Sequence, residues 1–170
     1  MSKLSCLKNL LKEGQAILIY TPVSRLYISG FESSLGYLFI TKEKSLLFVD
    51  GRYIEAAKKG VNRDIEVRLF TNIYEDAKSF LGKEIKTLLV ETSNTVASVR
   101  SFEKIFAREI IPSDTLEDTL HSLRLIKNDY EVDCIIKAQR MAEKAFDEIL
   151  KFIRPGVSET EIAADLEYRM

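Results

Sequence analysis

The 170-residue sequence contains one histidine, two cysteines and no tryptophan. None of its apolar runs approaches the roughly 18 residues that a transmembrane helix requires. Cys6 and Cys134 lie far apart without a CxxC neighbour, which favours two reduced, buried thiols in a cytoplasmic protein. The N-terminal stretch alternates lysine with leucine and lacks an uninterrupted apolar core, so it does not read as a secretory signal. We therefore expect neither a disulfide framework nor a membrane protein.

The sequence also lacks an excess of positive or negative charge. Lysine and arginine number 25 against 26 aspartates and glutamates, and the two signs are intermixed along the chain. This balance lacks the electrostatic footprint of a nucleic-acid binder. With 46% hydrophobic and 30% charged residues, the composition is that of a globular domain.

The chain also lacks the common catalytic motifs. His121 is its only histidine, and no HExxH, GxSxG, GxGxxG or GxxxxGK[ST] pattern occurs. A dinuclear metal site needs several converging carboxylates and usually histidine. The sequence therefore predicts no catalytic residue and no metal ligand in these residues, and it favours a turn-rich loop, rather than a phosphate cradle, for the segment GFESSLG.

Apolar runs that alternate with amphipathic segments predict the fold of the first part. Strands are predicted at QAILIY, GYLFIT, SLLFVD, IEVRLF, KTLLVE and REIIPS. Helices are predicted at residues 3–13, 51–60, 72–82 and 94–106, the second of them capped by Asp50 and Gly60. In the last of these helices, the side chains expected to point inward are Val96, Val99, Phe102 and either Ile105 or Phe106. The loop KEK joins two strands as an antiparallel hairpin. The fold class is thus α/β, a mixed β-sheet flanked by helices.

The character of the chain changes after Thr115, because no further strand pattern occurs. A long helix is predicted from Asn128, with Glu131 as its capping partner, to about Ile153, and a capping box of Ser158 and Glu161 opens the next helix. We expect an α/β domain over 1–120 and a helical unit over 121–170. The apolar face of the long helix is longer than one short helix covers, so we expect its partner beyond Met170.

Four segments carry a resemblance to a known family: PVSRLYISGFESSLGYLFIT, LLFVDGRYIEAAKKGV, LRLIKNDYEVDCIIKAQRMAEKAFDEIL and IRPGVSETEIAADLEYRM. Together they resemble the N-terminal part of the creatinase/prolidase/aminopeptidase P family, Xaa-Pro peptidases of two-domain, pita-bread architecture. The resemblance covers nearly the whole chain, in order and without a large gap. Each fragment alone is a weak signal, but their combination at these intervals is specific.

The resemblance implies a division of labour. In this family the N-terminal α/β domain helps to form a homodimer, and residues 121–170 would begin the catalytic domain. That domain holds two divalent metals, Mn, Co or Zn, through two Asp, one His and two Glu, and hydrolyses the peptide bond before proline. Those ligands would lie past residue 170, so we expect this chain alone to be inactive on proline-containing peptides.

The resemblance also points to the loop GFESSLG. The family pattern is close to Gly-Phe-x-Gly-Ser-x-Gly, and four positions match it: Gly30, Phe31, Ser34 and Gly36. Ser33 replaces the usual glycine. In the family this loop reaches toward the active site of the partner subunit. We therefore predict that Phe31 and Glu32 help to shape the substrate pocket of the other subunit.

Two alternatives remain open from the residues. The same fold occurs in non-peptidase relatives, including a histone-chaperone subunit, so the chain could be a non-catalytic protein-interaction module. A small-ligand-binding α/β domain unrelated to peptidases is the other. The cluster DGRY brings together Asp50, Arg52 and Tyr53, for which we favour a structural over a catalytic interpretation, with Arg52 paired to a carboxylate and Tyr53 packed inward.

Overall fold

A computed structural model describes residues 2–170, and these divide into two units after Leu123. The first unit contains a six-stranded sheet in the order β4-β3-β2-β1-β5-β6. The strands are β1 (Gln15–Ile19), β2 (Gly36–Ile40), β3 (Ser45–Val49), β4 (Glu66–Leu69), β5 (Thr87–Val90) and β6 (Glu109–Pro112). All six predicted strands are therefore present.

One strand of this sheet runs against the others. β1 pairs in parallel with β5, β5 with β6, and β3 with β4, whereas β2 is antiparallel to both of its neighbours. The β2–β3 hairpin and the mixed sheet are thus confirmed. Because β2 alone is reversed among the strands described, it begins at the end of the sheet where the other five strands finish. We call this end the carboxyl end of the sheet.

Helices cover both faces of the sheet. One face carries α1 (Lys3–Lys8), α2 (Pro22–Ser29), α3 (Ile54–Gly60) and α6 (Asp114–Leu125), and the other carries α4 (Ile73–Leu81) and α5 (Val96–Phe106). Side chains alternate between the faces along each strand, since successive residues of a strand point in opposite directions. Along β1, Ile17 and Ile19 face the first group of helices, while Ala16 and Leu18 face the second.

A cluster of aromatic rings packs on the second face. The buried Phe39 lies 6.0, 6.3 and 5.3 Å, between ring centroids, from Phe48, Phe80 and Phe106. Two of these pairs are edge-to-face, the geometry that adds about 0.5–1.5 kcal/mol per pair beyond the burial of area. This cluster joins β2 and β3 to α4 and α5.

Several local predictions are wrong. The first helix ends at Lys8 instead of residue 13, and the chain buries Leu11 in the turn that follows it. The predicted helix at 51–60 begins only at Ile54, so Asp50 does not cap it; its N-cap position is Tyr53. Helix α2 was not predicted at all.

Two expectations of burial are also wrong. Val96, expected to point inward, is 69% exposed at the first turn of α5. Both cysteines are free thiols, but Cys134 is exposed and Cys6 only half-buried. The helical period of apolar residues shows which residues share a face of the helix. It does not show how much of that face is packed against the rest of the protein.

The second unit, Arg124–Met170, contains α7 (Asp129–Phe152) and α8 (Glu159–Arg169). Both predicted capping boxes are present: Asn128 with Glu131, and Ser158 with Glu161. Arg169 of α8 donates to Glu148 of α7 at 2.8 Å and also pairs with Asp165. Within residues 2–170, none of the helices combines the length and the apolar character that crossing a bilayer would require.

Candidate functional site

The carboxyl end of the sheet gathers the connections that carry polar side chains. β1 finishes at Ile19 and β5 at Val90, next to the start of β2 at Gly36 and the end of β3 at Val49. The segment after β1, the loop 30–36 before β2, the turn after β3 and Glu91 after β5 therefore lie at one end of the sheet. Topology alone brings together groups that are up to 70 residues apart.

Arg25 of α2 lies at the centre of this region and is 1% exposed. Its Nη1 donates to the carbonyl oxygens of Tyr20 (2.6 Å) and Gly36 (3.0 Å), and its Nη2 donates to the carbonyl of Ser33. Burial lowers the pKa of Arg25, an effect that nearby Tyr20 and Glu91 oppose. One guanidinium thus binds the end of β1 and two points of the loop 30–36.

Glycine at position 36 makes room for this arginine. A Cβ on Gly36 would lie 3.2 Å from Arg25 Nε and 3.1 Å from the carbonyl oxygen of Phe48. The Arg25 Nε is buried without a hydrogen-bond partner, so the side chain is fixed through its two terminal nitrogens. Gly36, which the family pattern shares, is explained by this close approach rather than by a positive φ.

Glu91 is a second buried charged group at this end, also 1% exposed. Its carboxylate accepts from the hydroxyl (2.6 Å) and the backbone N–H (3.3 Å) of Thr21. Thr21 directly precedes the Pro22 at which α2 begins. Glu91 therefore fixes the start of α2 relative to β5 and supplies negative charge near Arg25.

The two predicted substrate residues occupy adjacent positions of the loop but different environments. Phe31 is half-buried, with its ring edge-to-face on Tyr53 (6.2 Å between centroids). A Cβ on Gly60 would lie 3.2 Å from that ring, which shows how closely the ring covers the end of α3. Glu32 is exposed and makes no hydrogen bond or ion pair with any residue in 2–170.

The backbone of the loop is also held on the N-terminal side of Glu32. The buried hydroxyl of Ser29 donates to the Arg25 carbonyl (2.7 Å) and accepts from the N–H of Phe31 (3.1 Å). Gly30 has a φ of +74°, the left-handed conformation that ends α2 and turns the chain into the loop. The loop therefore presents Glu32 at its tip from a fixed base.

The turn DGRY closes the other side of the loop. Arg52 pairs with Asp50 at 2.7 Å, and this contact lowers the pKa of the Asp50 carboxyl. The Tyr53 hydroxyl donates to Ser34 Oγ at 3.1 Å. Once the phenol ionises, the same serine can donate to it, which lowers the pKa of Tyr53. These contacts agree with the structural interpretation of DGRY: the turn supports the loop through Ser34.

Metal binding does not fit these residues. No group of three or more His, Cys, Asp and Glu side chains converges anywhere in residues 2–170. His121 is exposed on α6. No step involving a metal can therefore be derived from the part of the chain that the structure describes.

A groove of the first unit lies at the opposite end of the sheet. It has a volume of about 760 Å³ and is lined by residues of α4, α5 and the segments that lead into β5 and β6, including Lys83, Lys86, Glu103 and Arg108. Its charges are of both signs and its wall is open to solvent. Arg108 donates there to the carbonyls of Gly82 (2.9 Å) and Ala107 (3.0 Å).

Sequence analysis found the loop but missed the groups that fix it. Arg25, Thr21 and Glu91 were not singled out. In the sequence, a buried charged residue such as Arg25 cannot be told from a charged residue at an exposed position of a strand or turn. The available signal was the pairing of Pro22 with Gly30, a proline at the first position of a helix and a glycine just beyond its end.

An α/β domain of this topology, with a loop braced at the carboxyl end of its sheet, matches a known class of domain. Residues 7–126 match the family model described as the Creatinase/Prolidase N-terminal domain, and the chain belongs to that family. Residues 133–170 match a second model, Metallopeptidase family M24. The resemblance drawn from the four sequence segments is thus confirmed.

Relatives of known structure match both units. The Xaa-Pro dipeptidase from Bacillus anthracis superposes with a TM-score of 0.84 at 31% identity, over 98% of this chain and 47% of that one. The X-Pro aminopeptidase from Thermotoga maritima MSB8 superposes with a TM-score of 0.76 at 30% identity, over 91% of this chain and 46% of that one. By sequence, the Xaa-Pro dipeptidase of Pyrococcus horikoshii is 33% identical over 156 residues, 91% of this chain and 43% of the relative. The chain therefore spans a little under half the length of these relatives.

Proposed function

We propose that this chain acts as the N-terminal dimerisation and substrate-access domain of a cytoplasmic Xaa-Pro metallopeptidase, a dipeptidase or an aminopeptidase. The reaction is hydrolysis of the peptide bond that precedes proline. The observation that carries the proposal is the tandem order of two family matches, 7–126 and 133–170, in a chain similar to prolidases over both.

The proposal assigns the divalent metal, Mn, Co or Zn, to a metallopeptidase region outside residues 2–170. The M24 match supports a metal-dependent reaction for that region. Potential ligands do not converge in the part of the chain described here. We expect the 170-residue chain alone to show no hydrolysis of proline-containing peptides.

Within this function, the loop 30–36 serves the active site of the partner subunit. Glu32 carries the exposed carboxylate of the loop tip, a group suited to the ammonium or amide of a peptide substrate. Phe31 shapes the loop from below through its contacts with Tyr53 and Gly60. The proposed roles therefore differ: Glu32 contacts the substrate, and Phe31 sets the form of the pocket wall.

The test uses a longer protein that continues through the metallopeptidase region, purified with Mn and assayed on Leu-Pro and, as a control substrate, Leu-Leu. We expect cleavage of Leu-Pro alone. Glu32→Gln should raise KM, and Phe31→Ala should raise KM and lower kcat. Glu103→Gln, an exposed glutamate on α5, is the matched control and should change neither.

Three outcomes would count against parts of this proposal. Failure of the unsubstituted longer protein to cleave Leu-Pro at any metal loading would count against a dipeptidase, and failure on a longer Xaa-Pro peptide as well would favour the non-catalytic interaction module. If KM and kcat are unchanged in both loop variants, the loop has only a structural role. A strictly monomeric profile in sedimentation velocity, at concentrations where the enzyme is active, would rule out a contribution from a partner subunit.

A further inference from the structure

The loop 30–36 is attached to the rest of the first unit through an unusual group, a buried arginine that binds only backbone carbonyls. Arg25 donates to Tyr20, Ser33 and Gly36. Two of these three carbonyls belong to the loop, one on the far side of Glu32 and one at the start of β2. No carboxylate forms an ion pair with Arg25 within residues 2–170; Glu91 acts on it through space.

We infer that Arg25 is a positioning residue that sets the geometry of the loop 30–36 and thereby the placement of Glu32. This inference rests on the proposed function, because the loop has a substrate to meet only in a peptidase. Arg25 does not itself contact substrate, since it is buried beneath the loop. It acts through the backbone that it binds.

The chemistry of the guanidinium explains why arginine is needed. It is a planar fork that directs several N–H donors along fixed directions, whereas a lysine ammonium is a single point on a flexible stem. Arg25 uses Nη1 for Tyr20 and Gly36 and Nη2 for Ser33, so its fork spans the mouth of the loop. An ammonium at this position keeps the charge but cannot reach all three carbonyls with the same alignment.

The other contacts of the loop do not bind the carbonyls that Arg25 binds. Ser29 holds the N–H of Phe31, and Tyr53 holds the side chain of Ser34. The side-chain hydroxyl of Ser33 is buried without a partner, so the carbonyl bond to Arg25 is the polar anchor of this residue in the described chain. Loss of the guanidinium therefore frees the segment between Phe31 and Gly36.

Arg108 provides a matched control. It also donates only to backbone carbonyls, two instead of the three bound by Arg25, and also has a buried Nε without a partner, but it lies at the opposite end of the sheet, beside Gly82. Replacing either arginine by lysine removes guanidinium bonds to backbone carbonyls. Only Arg25→Lys should affect the loop.

The first measurement is made on the 170-residue chain by backbone NMR relaxation. In the unsubstituted chain we expect order parameters near 0.85, typical of rigid backbone, for residues 31–35. In Arg25→Lys they should fall below about 0.6, while Arg108→Lys leaves them unchanged. Thermal unfolding of all three proteins shows whether each remains folded at the temperature of the measurement.

The second measurement is kinetic and uses the longer protein with Leu-Pro. Arg25→Lys should raise KM about tenfold, equivalent to about 1.4 kcal/mol, with kcat within about twofold. The double variant Arg25→Lys with Glu32→Gln should add little to either single variant, because the contact that Glu32 makes is already lost. Arg108→Lys should give the parental KM.

The outcomes separate this inference from the proposed function. If the longer protein has no peptidase activity, the proposed function fails, and the relaxation data still decide whether Arg25 fixes the loop. Rigid residues 31–35 in folded Arg25→Lys would overturn the inference. So would a mobile loop with unchanged KM in an active enzyme, since Arg25 would then have only a structural role.

Discussion

Replacing Gly36 by alanine tests the close approach between β2 and the buried arginine. Alanine in place of a glycine whose backbone conformation alanine can adopt ordinarily stabilises a protein by about 0.4–1 kcal/mol, because the unfolded chain loses conformational freedom. At Gly36 the added Cβ would lie 3.1 Å from the Phe48 carbonyl oxygen and 3.2–3.3 Å from Arg25 Nε and Cδ. Ordinary contacts of this kind are 3.4–4 Å.

The structure gives the neighbours little room to withdraw. The Phe48 oxygen belongs to β3, paired with Tyr37 of β2, and Arg25 is held by its three carbonyls. Overpacking of a closed core costs about 1–3 kcal/mol. Subtracting the usual gain leaves a net cost between about zero and 2.5 kcal/mol, centred near 1 kcal/mol, so Gly36→Ala should lose the gain of an unhindered glycine and be less stable than the parent.

Urea unfolding followed by circular dichroism measures this difference, with Gly51→Ala as the control. A Cβ on Gly51 meets nothing within 4 Å, and its φ is not in the left-handed region, so this variant should be neutral or slightly more stable. At the expected cost of about 1 kcal/mol, the free energy of unfolding measured in urea should fall by that amount, and in a separate thermal scan Gly36→Ala should melt about 2–4 °C lower than the parent. A Gly36→Ala protein as stable as Gly51→Ala would refute the reasoning, because the guanidinium would then not occupy the space beneath β2.

Phe39→Ala should destabilise the first unit by about 3–5 kcal/mol in the same assay, and Phe39→Leu by clearly less, because alanine leaves a cavity between three aromatic rings. Hydrogen bonds from Arg52 lower the folded-state pKa of the Asp50 carboxyl. The contribution of this carboxylate to stability is therefore fully present above the unfolded-state pKa of about 3.9, and it is lost as the pH falls through the lower folded-state pKa. The stability deficit of Asp50→Asn should therefore shrink below about pH 4, whereas Asp64→Asn, whose carboxylate has no partner in residues 2–170, should follow the parent. Asn128→Ala should cost α7 about 1 kcal/mol, seen as faster amide exchange at its first turn, and Asn128→Asp should retain the cap.

The sheet was predictable because its strands are marked by composition. Each of the six apolar runs became a strand, and the charged loop KEK set the antiparallel pair. The helix ends were less predictable, since Leu11 is buried after α1 has ended and Val96 is exposed although it continues the apolar period. Periodicity indicates which side chains share a helix face. Tertiary packing determines which part of that face is buried against neighbouring elements.

The site was predictable only in part. The loop with Phe31 and Glu32 could be located from its resemblance to a family pattern, and the roles of these two residues in catalysis remain a prediction. Helix α2 escaped notice because its inward face carries Arg25 and Ser29 beside Ile28, so no apolar stripe marks it. Polar groups that satisfy backbone carbonyls produce no hydrophobic signal, although they determine how the loop is held.

The reversed strand has a consequence for how this domain can change over evolution. Because β2 begins where β1 finishes, residues 20–35 leave the sheet, place α2 on one of its faces, and return to it at the same end. Lengthening such an excursion disturbs no strand pairing, and doubling its length adds only about 0.6 kcal/mol of closure entropy. Insertions in residues 20–35 could therefore reshape the surface at the carboxyl end of the sheet while every pairing of the sheet stays intact.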